Sequence, residues 1–80
     1  MKTRVRIRRD SDNVSEILEP VNLSRGGISF KSCKRFALHE TVWVTMHYQP
    51  QSTEMETKSI IVRAAPMKNS TEFSYGLKFL

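Results

Sequence analysis

The sequence predicts an all-β fold, a small antiparallel barrel of six short strands. Three observations carry that expectation. Apolar and polar residues alternate with period two across 3–8, 42–48 and 72–80. Clusters of Asp, Ser, Asn, Pro and Gly interrupt the alternation about every 8–12 residues, the spacing of short strands joined by turns. No stretch repeats its apolar residues at the three-to-four spacing of an amphipathic helix. Closing such a sheet would also remove its exposed edges.

The elements follow in order. Residues 3–8, Thr-Arg-Val-Arg-Ile-Arg, place Val5 and Ile7 on the core face and Arg4, Arg6 and Arg8 on the solvent face. Asp10, Ser11, Asp12 and Asn13 form a turn. Residues 14–23 carry Val14, Ile17, Leu18, Val21 and Leu23 and read as one strand, with an edge or bulge at Pro20. Residues 27–31 resume the alternation with Ile28 and Phe30 inward. Segment 32–41 is irregular, and Phe36 and Leu38 are expected to tuck it onto the barrel. Residues 42–48 set Val42, Val44 and Met46 against Trp43, Thr45 and His47. Pro50-Gln51-Ser52 is a polar loop. Residues 56–65 hold Ile60, Ile61 and Val62, then Arg63 and two alanines. Pro66 to Thr71 is a turn region, and 72–80 put Phe73, Tyr75, Leu77 and Phe79 on one face.

Composition limits the class. Eighty residues are expected to form one domain spanning 1–80. No apolar run approaches the roughly 18 residues of a membrane span, and no charged segment followed by an apolar stretch suggests a secretory leader. Cys33 is the only cysteine, so no internal disulfide can form, and no His/Cys cluster suggests a metal. A reducing, cytoplasmic setting is expected. The net charge is +5, and Lys2, Arg4, Arg6, Arg8 and Arg9 crowd the N-terminus without an acid among them. That concentration either attracts an anionic partner or keeps an edge strand from aggregating.

Asn22-Leu23-Ser24-Arg25-Gly26-Gly27, followed at once by Ile28-Ser29-Phe30, is the most distinctive stretch. Polar donors, an arginine and paired glycines between two apolar runs make a turn where backbone N–H groups can approach an anion. The same residues are also ordinary turn formers. The spacing Asn-x-Ser-x-x-Gly resembles the signature of PilZ domains, small β-barrels that act as receptors for the bacterial second messenger cyclic di-GMP. The order of elements, with Phe30-Lys31-Ser32 after the glycines and Tyr75-Gly76-Leu77-Lys78-Phe79 at the end, is similar to that family over nearly the whole chain.

The resemblance implies a ligand-binding role for Asn22 at a guanine edge. Ser24 and the turn backbone, Gly26 included, would lie near phosphate, and Gly27 would be small enough to let the ligand approach; Arg25, inside the turn, either substitutes in part for the arginines of the family's arm or is a solvated loop cation. It implies no cofactor beyond cyclic di-GMP as ligand. The family's second motif is Arg-x-x-x-Arg on an arm before the first strand, and Arg4-Val5-Arg6-Ile7-Arg8 carries those letters, which makes Arg4 and Arg8 candidates. Strand alternation instead sets Arg4 and Arg8 about 13 Å apart and predicts that they do not both converge on the turn. In that alignment the arm lies upstream of Met1, and the chain is a trimmed core or a variant without the arm.

The remaining polar residues argue against an enzyme and against a bound metal. His39 and His47 have no carboxylate patterned around them, no Ser or Cys has a His partner by motif, and Glu54 and Glu56 read as solvated loop residues. Trp43 either marks an interface or, as we expect, lies under the 32–38 segment. The basic N-terminus raises nucleic acid as a partner, but the aromatics fall at core spacing and leave no stacking face. The partners expected are therefore cyclic di-GMP and a protein or neighbouring domain that receives the signal. A second copy of the chain, paired through an exposed first strand, is the other candidate. The contrasting possibility is a degenerate barrel that serves protein interaction without nucleotide.

Overall fold

In the computed structural model, residues 3–46 and 55–80 are described. His47, the 50–52 loop, Glu54 and Lys2 lie outside them. The strands are β1 (Val5–Arg9), β2 (Ser15–Leu18), β3 (Asn22–Leu23), β4 (Gly27–Ser32), β5 (Thr41–Thr45), β6 (Glu56–Pro66) and β7 (Phe73–Phe79). They form one antiparallel sheet in the order β2-β1-β5-β6-β7-β4-β3. Six strands were expected and seven are found, because Pro20 splits the 14–23 segment. Proline has no N–H to give a ladder, so β2 ends at Leu18 and pairing resumes at Asn22.

That split shapes the whole sheet. β2 and β3 occupy opposite edges, yet only Glu19, Pro20 and Val21 join them. Four Cα steps reach about 14 Å at full extension. In a flat sheet, six inter-strand spacings of about 4.8 Å would hold the edges about 29 Å apart. The sheet therefore curls into a half-barrel, and the 19–21 segment links its two edges. Side chains stitch the seam: Ser32 Oγ donates to the Glu16 carboxylate, and Lys34 Nζ donates to the Ser15 carbonyl at 3.0 Å.

Alternation decides what the curl encloses. Val5, Ile7, Ile28, Phe30, Phe36, Val42, Val44, Ile61, Tyr75 and Leu77 are buried in one core, with Met46, Phe73 and Phe79 packed against it. Burial of such side chains contributes roughly 1.5–3 kcal/mol each. Phe36 tucks the irregular segment down as expected, within 5.8 Å of Phe30 and 5.2 Å of Tyr75 by ring centroids. The Tyr75 hydroxyl accepts from the Phe36 amide at 3.1 Å and donates to the Lys34 carbonyl at 2.7 Å. One phenol thus satisfies two loop backbone groups that would otherwise be costly to bury. Leu38 does not tuck in; it is 52% exposed at the tip of the segment.

The first strand keeps its predicted register, but not the expected exposure of its arginines. Arg4 is exposed, whereas Arg6 and Arg8 are half-buried. The cause is Glu56, which opens β6 instead of lying solvated in a loop. In register, Arg6 pairs with Thr45 and Thr45 with Glu56, so both cations reach one carboxylate across β5. Trp43 is not the residue the 32–38 segment covers. It sits on the outer face, where its Nε1 donates to Asp10 Oδ1 at 2.8 Å and the Arg8 guanidinium lies 5.7 Å from its ring.

Candidate functional site

The Asn22–Gly27 stretch is a tight hairpin joining β3 to β4. The Ser24 amide and Ser24 Oγ both donate to the Gly27 carbonyl, at 3.0 and 3.2 Å. Ser24 therefore closes the turn, and Arg25 and Gly26 stand exposed at its tip. Gly27 owes its identity to a neighbour inside the protein. A Cβ there would run into the Leu77 carbonyl oxygen and lie 3.2 Å from Lys78 Cα. The sequence suggested that this glycine admits a ligand; the structure shows that it first admits strand β7.

Behind the hairpin the sheet register builds a row across four strands. Asn22 pairs with Ser29, Ser29 with Gly76, and Gly76 with Arg63. These residues face outward, because Ile28, Phe30, Tyr75 and Leu77 on either side of them are buried. Gly76 contributes no side chain, so the row sags into an open depression of ≈ 370 Å³. That volume falls at the low end of small-molecule sites, about 300–1,000 Å³. Asn22, Ser24, Gly26 and Gly27 line one side and Val62 and Arg63 the other. No carboxylate is among the described residues that line it. Arg63 lines the depression and Lys78 stands beside Gly27 in register, so cations border it.

Arg63 reaches this face through an irregularity. Strict alternation from Ile61 would turn Arg63 into the core. Between Ile61 and Arg63 the register against β7 shifts: Ile61 opposes Leu77 and Arg63 opposes the adjacent Gly76. Val62 is the extra residue of a bulge, which reorients the side chain that follows it. Arg63 Nη2 donates to Ser29 Oγ at 3.4 Å. Ser29, Gly76 and Val62 were not singled out by sequence reasoning. Ser29 was within its reach, since it lies two residues from Gly27 on the same face.

Arg4 and Arg8 are not brought to the depression. Arg4 precedes β1 and lies beside Ile17, Leu18 and Glu19. Arg8 is held on the outer face by a two-pronged contact with Glu56, Nε to Oε2 at 2.8 Å and Nη2 to Oε1 at 2.9 Å. Its Nη1 donates to Asn13 Oδ1 at 2.6 Å, and Arg6 Nη2 shares Glu56 Oε2 at 3.0 Å. The Arg8 hydrogen bonds, with the Arg6 contact behind them, hold the Glu56 carboxyl below its ordinary range, against the opposing pull of burial. The same hydrogen bond raises the Arg8 guanidinium.

Compared with models of known families, the chain matches that of the PilZ domain over residues 1–80. The chain belongs to the PilZ family. Comparison with curated proteins and with solved structures gave no match. PilZ domains are cyclic di-GMP receptors, binding and signalling modules and not enzymes. In this PilZ domain Asn22, Ser24 and Gly27 share one depression with a cationic rim. The arginines that carry the letters of the family's arm lie on and before β1, away from that depression. Among the described residues of the PilZ domain, no helix is long and apolar enough to cross a membrane.

Proposed function

We propose that this PilZ domain is a bacterial, cytoplasmic receptor that binds cyclic di-GMP over the Asn22–Ser29–Gly76–Arg63 row and relays the signal to a protein partner or a neighbouring domain. One observation supports it most: the hairpin and the bare strand at Gly76 form one open depression with amide and hydroxyl groups on its walls and cations on its rim. A cyclic dinucleotide carries two phosphates and two purine edges. Asn22 offers a side-chain amide, donor and acceptor at once, to a purine edge. Arg25 and the hairpin tip face the phosphates, where charge-assisted contacts are roughly twice as strong as neutral ones. Signal relay requires that the ligand prefer one arrangement of the neighbouring segment over another. We take the residues just ahead of β1 as that segment. Thr3 borders a depression that Glu19, Val21, Asn22 and Leu23 also line.

A second reading rests on the pairing of Arg8 with Glu56. With that guanidinium committed, the domain is a degenerate barrel that docks another protein and leaves cyclic di-GMP alone. Isothermal titration separates the two. The receptor reading expects micromolar or tighter binding that disappears in Asn22→Ala. It also expects tighter binding when a segment carrying Arg-x-x-x-Arg is joined upstream. Absence of heat from both the 80-residue chain and the extended version leaves only the interaction barrel.

A further inference from the structure

We propose that Arg63, delivered to the outer face by the bulge at Val62, is the guanidinium that holds the ligand in this chain; the inference rests on the receptor reading above. The cations of the first strand are already committed. Arg8 and Arg6 share the Glu56 carboxylate, and Arg9 Nε lies 2.7 Å from Glu40 Oε2. Arg63 is not held in this way. Its hydrogen bond among the described residues is the long one to Ser29 Oγ, at 3.4 Å, and no carboxylate pairs with it there. A guanidinium held by one weak neutral bond gives up little when it turns to an anion.

The position suits that task. Arg63 crosses directly above Gly76: a methyl placed on Gly76 would lie 3.5 Å from Arg63 Nε and 3.8 Å from Nη2. The missing side chain at 76 lets the guanidinium lie low over the strand, on the same row as Asn22 and Ser29. Asn22 and Arg63 thus stand at opposite ends of one depression. A ligand lying across Gly76 meets the amide at one end and the planar cationic fork at the other. Arg supplies two parallel N–H donors for phosphate and a flat face for a purine; Lys supplies only a point charge. The family's letters gave no reason to choose Arg63 over any other strand cation. The bulge that changes its face is the deciding feature.

Titration of cyclic di-GMP into the 80-residue chain and its variants tests this, with thermal melts run on the same samples. Arg63 is exposed and pairs with no core group, so Arg63→Ala is expected to fold with an unchanged melting temperature. Its affinity is expected to fall by about tenfold or more, the loss of a charge-assisted contact. Arg63→Lys is expected to fall between the two. An Arg63→Ala chain that binds as the parent does, while Asn22→Ala does not bind, overturns the assignment of Arg63 and leaves the receptor reading standing. A parent chain that takes up no cyclic di-GMP while the upstream-extended version does overturns the assignment of Arg63 and leaves the receptor reading standing; no uptake by either overturns both.

Discussion

Gly27 illustrates how one residue can serve the turn, the sheet and the site together. Its lack of a side chain lets the β7 backbone approach, and its carbonyl receives both donors of Ser24. A methyl at 27 must push β4 off β7, because the obstructing atom is a backbone carbonyl and cannot rotate away. Gly27→Ala is therefore expected to destabilise the fold by about 1–3 kcal/mol or more, the range for overpacking, measured by denaturant unfolding. A variant as stable as the parent would return Gly27 to a purely ligand-facing role. Gly26 offers the contrast within the same turn: a Cβ there meets nothing within 4 Å. Adjacent glycines with the same sequence signature thus answer to different constraints.

At the scale of elements, the pairing of β1 and β6 through Glu56 deserves a pH experiment. β5 lies between these strands, so Arg6 and Arg8 contact the carboxylate across an intervening strand. Glu56 has its pKa lowered in the folded state, chiefly by the Arg8 hydrogen bond. A depressed carboxyl binds protons more readily when unfolded. Its stabilisation is therefore present above the ordinary carboxylate pKa, about 4.3, and is lost as the pH falls through the lower folded value. Glu56→Gln is expected to melt a few degrees below the parent at neutral pH. The gap should close as the pH is taken down past 4 and into the acid range. A gap that stays constant with pH would show that shape, and not charge, links these strands. The side chains involved are a quarter to a third exposed, so salt should narrow the gap as well.

For the whole molecule, the seam at 19–21 joins architecture to function. The chain links the two sheet edges there, the hairpin and Asn22 follow directly, and Thr3 lies alongside. A ligand on the Asn22 row thus sits next to that link. By mass action, a ligand that binds only the folded state at a hundred times its Kd adds about 2.7 kcal/mol to stability. For a domain of this size that is a rise in melting temperature on the order of 10 °C. Calorimetry with and without cyclic di-GMP measures it, and an unchanged midpoint at saturating ligand in both the 80-residue chain and the upstream-extended version contradicts the receptor reading.

Wherever period two runs unbroken, the inner and outer faces were legible in the chain itself. Val5, Ile7, Ile28, Phe30, Val42, Val44 and Leu77 are buried where alternation places them, because a strand's side chains have only two directions to take. The hairpin was legible too, since Asn, Ser and Gly at that spacing are turn chemistry as well as a family's signature. Three matters were decided only by the tertiary structure. Arg63 faces the site because a bulge changes parity, and bulges depend on how two strands seat together. Glu56 binds Arg6 and Arg8, residues some 50 positions away, because β5 brings β1 and β6 close. Gly27 is required by the Leu77 carbonyl, because β4 pairs directly with β7. Alternation is a property of neighbours along the chain. These three depend on pairs distant in sequence, which meet only once the sheet has formed.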